Sequence, residues 1–195
     1  MQSWRPAGRV AELESSGITP HAIPVENAMS CLGIHFALAA EDVAALKAIK
    51  DEQERLAFLQ AEIEERYLAE PATYAAESDK SWDAMHRALS DGHLSWDGGT
   101  YPLNHTVLAG ELLYSEDDYI MSLKTPEQVK AIAAALENLT EPLFRARYNA
   151  IDRDSYDGKI GDEDFEYTWS WLLNVRRLYI TAAAEGRHIL FTADQ

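Results

Sequence analysis

Apolar and polar positions first fall into a clear rhythm at residues 31–38. Leu32, Ile34, Phe36 and Leu38 share one face, and Cys31, Gly33, His35 and Ala37 share the other. A period of two predicts a strand with one apolar face and one face of small residues plus a histidine. The period then lengthens. Val43, Leu46 and Ile49 fit a short helix from about Glu41. Asp51, with Glu54 three residues on, fits the capped start of a second helix, whose inner stripe is Leu56, Leu59, Ile63 and Tyr67. Its outer side holds Glu62, Glu64, Glu65 and Arg66, a solvated charged face. Ser78 is the predicted cap of a third helix, with Trp82, Met85 and Leu89 inward and Gly92 at its end.

Residues 92–104 are turn-rich around Asp97-Gly98-Gly99, and a short apolar run from His105 to Leu113 follows. Tyr119 to Leu123 reads as a second strand. Thr125-Pro126-Glu127-Gln128 is the clearest helix start in the chain: threonine caps, proline takes the first helical position and glutamine returns at the third. Val129, Ile132, Ala133 and Leu136 supply its inner face. Thr140 opens a helix carrying Leu143 and Phe144, and residues 149–164 form an acidic loop. The last helix runs from about Asp162 to Ala184, with Phe165, Trp169, Leu172, Tyr179 and Ile180 on one stripe, widened by Trp171, Val175 and Leu178. So wide an apolar arc predicts a central helix. Gly186 stops it, and His188 to Thr192 reads as a closing strand.

Strands and helices do not alternate regularly, so the prediction is α+β, a helix-rich single domain with a small sheet over residues 29–195, rather than a doubly wound sheet. Residues 1–28, with Pro6, Pro20, Pro24, Gly8 and Gly17 and no sustained period, read as an N-terminal extension. Met29, after which structured sequence begins at once, is a candidate natural start.

Charge changes the picture more than size does. The 195 residues hold 17 basic and 33 acidic side chains, a net charge of −16. Such a field repels phosphate backbones and anionic lipid surfaces, so neither nucleic acid nor membrane is the expected partner, and a basic protein would be steered in. Cys31 is the one cysteine, which excludes an intrachain disulfide and a cysteine-based zinc site and suits a reducing cytoplasm. No apolar stretch approaches the roughly 20 residues that span a bilayer.

The candidate chemistry is sparse. His86, one turn after Trp82, reads either as an acid–base group at a cleft or as a core histidine held by hydrogen bonds. His35, His86, His105 and Glu111 could bind a metal only if they converged, and no two histidines have the three-to-five spacing that a helical site needs. Residues 152–158 resemble a calcium loop, but Tyr156 and Asp157 stand where an EF-hand needs an oxygen ligand and a glycine. There is no G-x-S-x-G elbow, phosphate loop or G-x-G-x-x-G. No metal or cofactor is therefore expected. Trp82 and Trp169 read as core, and Trp96, in a Gly-rich loop, as exposed.

Several blocks carry a family resemblance. Asp79-Lys80-Ser81-Trp82-Asp83-Ala84-Met85-His86-Arg87-Ala88-Leu89 resembles the D-K-x-W-x-x-[LM]-H helix of the YfbM-like family, a bacterial group with no assigned activity. Met29 to Gly33, Pro102 to Asn104, Leu108 to Glu111, Leu123 to Gln128 and Phe144 to Tyr148 are similar to further family blocks. The chain departs from the pattern in two places: the acidic stretch from Asp152 to Asp162 replaces an I-Y-P-x-x-W segment, and a glycine pair is reduced to Ala109-Gly110. The resemblance implies an α+β fold and no catalytic residue.

The leading expectation is a non-enzymatic protein-binding module of the immunity or antitoxin kind. The alternative is a small hydrolase or small-molecule-binding protein with a cleft near His86, lined by Lys80, Trp82, His86, His105 and Glu111. The second reading requires those side chains to face one pocket.

Overall fold

The computed structural model describes residues 32–69, 72–114 and 119–194. The N-terminal extension over residues 1–28, the candidate start at Met29 and Cys31 lie outside them. The strands are β1 (Gly33–Leu38), β2 (Ala75–Asp79), β3 (Glu111–Tyr114), β4 (Tyr119–Lys124) and β5 (His188–Asp194). They form one antiparallel sheet in the order β2-β1-β5-β4-β3. The helices are α1 (Ala40–Ala48), α2 (Glu52–Phe58), a π-helical stretch Leu59–Glu64, α3 (Glu65–Leu68), α4 (Trp82–Leu89), α5 (Pro126–Glu137), α6 (Glu141–Tyr148) and α7 (Asp162–Glu185).

Helices cover both faces of the sheet, because the central strands bury side chains in both directions. Phe36 and Leu38 of β1, Met121 and Leu123 of β4 and Leu190 of β5 pack with Leu46, Leu59 and Ile63, so α1 to α3 close that face. Ala37, Ile189, Phe191 and Ala193 point the other way and pack with α4 to α7. The protein is thus a three-layer α+β sandwich. In the π-helical stretch each turn widens, which keeps Leu59, Ile63 and Tyr67, spaced four apart, closer to one line than a 3.6-residue turn would.

Local signals explain most element ends. The Asp51 side chain accepts from the Glu54 backbone N–H at 3.0 Å. Thr125 and Gln128 form a reciprocal capping box, with Pro126 in the first turn. Gly186 closes α7 in the left-handed region, at φ 67°. Several expectations need correction. Ser78 does not cap a helix; it lies in β2, buried, with its hydroxyl donating to the Gly33 carbonyl at 3.0 Å, and α4 begins at Trp82. Leu143 and Ile180 are exposed, and Trp96 is half-buried against the core. Gly33 is the point of closest approach between β1 and α4: a Cβ there would lie 2.8 Å from Trp82 Cδ1 and 2.7 Å from Ser78 Oγ.

A polar layer runs through the core on the α4–α7 side. His35, Phe191 and Ser122 face one another across β1, β5 and β4, and Lys124 follows two residues after Ser122. Residues 106–109 pass beneath this row as buried chain outside any helix or strand. Three of their carbonyls are taken by side chains. Thr106 O accepts from His35 Nε2 at 3.2 Å and from the Tyr179 hydroxyl at 2.8 Å. Val107 O accepts from Lys124 Nζ, and Ala109 O from Ser122 Oγ. Lys124 also donates to Ser122 Oγ at 2.5 Å. Irregular backbone can be buried only when its polar groups find such partners. Burial pulls the Lys124 amine well below the usual lysine range.

The same burial, reinforced by Lys124, lowers His35 to about 3. Burial first lowers His86 to about 4, opposed by its hydrogen bond to the Ser95 carbonyl. Both imidazoles are neutral in the native protein, whereas an unfolded histidine takes a proton below about pH 6.5. Folding stability should therefore fall as pH falls below about 6.5, by about 2 kcal/mol per histidine between pH 7 and about pH 5. Urea unfolding at both pH values checks this, and His86→Gln should remove about half of the histidine-linked loss. Gly33→Val should destabilise the protein by about 2 kcal/mol at neutral pH, because it drives a side chain into Trp82; the urea midpoint reads the effect.

Candidate functional site

The five residues that the sequence singles out do not line one hollow. Lys80 is exposed in the turn between β2 and α4. Trp82 is buried against Gly33, with its ring centroid 5.8 Å from that of Phe191. His86 is fully buried, and its Nε2 donates to Ser95 O at 2.8 Å, tying the turn-rich segment back to α4. His105 is half-buried, hydrogen-bonded through Nδ1 to Asn104 Oδ1 at 2.8 Å and edge-on to Tyr101. Glu111 is exposed and lies opposite Leu123 in the β3–β4 ladder, so it faces the α1–α3 side, where it pairs with Lys47 at 2.7 Å. The sheet therefore separates Glu111 from Trp82 and His86. Of the two readings of His86, the geometry matches the core histidine, held through Nε2 alone, since its buried Nδ1 has no hydrogen-bond partner among the described residues.

The metal and calcium alternatives can be placed in the same way. Among the described residues, no three His, Cys, Asp or Glu side chains are grouped to hold an ion. The acidic loop satisfies itself: Asp152 Oδ1 accepts from the Asp154 N–H, and the Tyr156 hydroxyl reaches Asp164. Arg87, buried in α4, pairs with Asp83 and donates to Ser155 Oγ at 3.0 Å, which holds the loop to the helix. No described helix is long and apolar enough to cross a membrane.

Two hollows beside β2 offer binding geometry that the sequence did not point to. The first is an open groove of about 380 Å³ between β2 and α7, lined by Ala75, Ala76 and Glu77 on one wall and Trp171, Arg177 and Leu178 on the other. β2 is an edge strand, and no described strand pairs with its outer side. The Ala37 N–H donates to Tyr74 O at 2.8 Å, and His35 lies opposite Ala76, so alternate residues of β2 face β1. By that alternation, the N–H and C=O groups of Ala75 and Glu77 point outward.

The second hollow, of about 280 Å³, lies beyond Thr73, which borders both. Its polar wall is Asp42, Arg66, Tyr67 and Arg187, from α1, α3 and the turn between α7 and β5. Alternation and helical period could not reveal either hollow. The segment that becomes β2 reads Ala-Ala-Glu-Ser-Asp, which has no strand propensity, and Arg187 follows Gly186 as an ordinary charged residue after a helix end.

Comparison with known proteins gives the chain its relatives. No curated relative matches it. A crystal structure of a protein of unknown function, YfbM from Escherichia coli, matches with a TM-score of 0.59 at 19% identity, covering 83% of this chain and 99% of that one. At that identity the likeness speaks for the fold, and the shared architecture is α+β. The model of one protein family spans residues 29–192, so the chain belongs to the DUF1877 family, whose defining domain is one of unknown function.

Proposed function

We propose that this protein is a non-enzymatic binding module that captures an extended segment of a cationic protein partner along the outer edge of β2. The observation that carries the reading is the outward-facing backbone of Ala75 and Glu77 beside the groove. An added strand needs about 4.8 Å beside the edge, and the small side chains Ala75 and Ala76 leave that space open. Trp171 and Leu178 supply an apolar wall for alternate side chains of the guest. The groove itself is nearly neutral, since Glu77 is balanced by Arg177. Partner choice then falls to the field of the whole chain, whose net charge of −16 draws in a basic protein and disfavours nucleic acid and anionic membrane.

The sharpest form of the reading is an immunity or antitoxin role in the bacterial cytoplasm, with the partner neutralised by occlusion. The single cysteine of the chain and its field support that setting. A small-molecule cleft at His86 has no such support, because its imidazole is sealed inside the protein.

Tagged protein should retain a basic partner from lysate. Ala75→Pro removes one outward N–H without touching the β1 ladder and should weaken retention about tenfold or more at an unchanged melting temperature. Trp171→Ala should weaken it as well. Recovery of no partner, or of a set that both variants retain equally, defeats the reading.

A further inference from the structure

The polar hollow on the far side of Thr73 does not depend on the β2 edge. Its main feature is an arginine whose side chain is held from three directions. Arg187 Nε donates to Glu185 Oε2 at 2.8 Å, Nη1 donates to the Ala37 carbonyl at 3.2 Å, and the guanidinium lies over the Tyr74 ring, 3.6 Å from its centroid. Pinning the end of β1 accounts for Nη1, and the ion pair accounts for Nε. The remaining nitrogen, Nη2, makes no hydrogen bond to any described residue, and the side chain, 21% exposed, borders the hollow.

The facing wall is arranged differently. Asp42, with its side chain only 10% exposed, has both oxygens engaged: Oδ1 accepts from Arg66 Nη2 at 2.7 Å and Oδ2 from the Tyr67 hydroxyl at 2.6 Å. Tyr67 in turn accepts the Ala39 N–H at 3.1 Å. The carboxylate is therefore neutralised and capped within the wall, while Arg66, 57% exposed, keeps the rest of its fork toward solvent. A chain with 17 cationic side chains and a net charge of −16 thus turns two guanidiniums, one largely buried and one exposed, toward one hollow.

We infer that this hollow binds a small ligand through a carboxylate or phosphate group held between Arg187 and Arg66. The guanidinium fork matches the paired oxygens of such groups, and its fixed orientation at Arg187 removes much of the ordering cost of binding. The volume, about 280 Å³, suits a ligand of metabolite size. Glu41 stands at the rim and disfavours large polyanions.

The test titrates the full chain separately with inorganic phosphate, acetate and glycine, followed by NMR of the arginine side chains and by calorimetry. Saturable binding of at least one is expected, with the arms reporting which oxyanion is preferred. Arg187→Gln should weaken it about tenfold or more, and Arg66→Gln, which keeps an amide N–H to donate to Asp42, should weaken it several-fold, with the melting temperature measured alongside to confirm that the variant is folded during the titration. Arg187→Lys keeps the charge but loses the fork and should fall between wild type and Arg187→Gln. Ala75→Pro should leave the binding unchanged, so failure of the strand-edge reading and failure of this one are distinguishable. No saturable binding of any of the three, or equal binding by wild type and the Arg66 and Arg187 variants, overturns the inference.

Discussion

The capture of the Thr106, Val107 and Ala109 carbonyls by side chains is the constraint on which the rest of the structure depends. Four donors converge on this buried stretch: His35 from β1, Ser122 and Lys124 from β4, and Tyr179 from α7. Without them the chain could not run between the sheet and α7 without leaving several polar groups desolvated, each at a cost of a few kcal/mol. The arrangement also accounts for a lysine that is fully buried without a carboxylate. Lys124 has neutral acceptors, so its amine is held by hydrogen bonds rather than by an opposite charge, and burial lowers its basicity.

The same constraint shapes what the surface can do. The chemistry-bearing side chains of β1, α4 and α7 are turned inward to hold backbone: His35 on Thr106, His86 on Ser95, Tyr179 on Thr106. What remains outside is largely anionic, together with two hollows flanking the edge strand β2. Each hollow has a different lining. One presents outward backbone groups beside an apolar wall, and the other presents guanidiniums over a neutralised carboxylate. They meet at Thr73, so the two hollows lie side by side along one edge of the sheet.

The central strands β1, β4 and β5 were legible because each is a short run rich in β-branched, aromatic or aliphatic residues, with period two added in β1. The edge strands were not. β2 is built from Ala75, Ala76, Glu77, Ser78 and Asp79, a composition that reads as a helix cap, and Ser78 took that role in the sequence because its hydroxyl suits either position. β3 begins only at Glu111, after an apolar run whose first half is irregular. An edge strand has one paired side and partial burial, so its residues lack the pattern that burial imposes. Leu143 and Ile180 fit a helical stripe yet point outward, since a stripe wider than the neighbouring layer leaves its margin in solvent.

By itself the sequence determined the α+β class, the central strands, the capped helices, the family resemblance and the strength of the anionic field. These follow from local periodicity, capping chemistry and charge count, which need no knowledge of which segments meet. Only the tertiary structure decided that His86 is sealed in, that Glu111 lies across the sheet from it, and that Arg187 is pinned against Tyr74 and Ala37 at the rim of a hollow. Those outcomes depend on contacts between residues up to 150 positions apart, such as Arg187 with Ala37. Nothing local to either residue encodes the pairing; it arises because burial of the three layers brings them together.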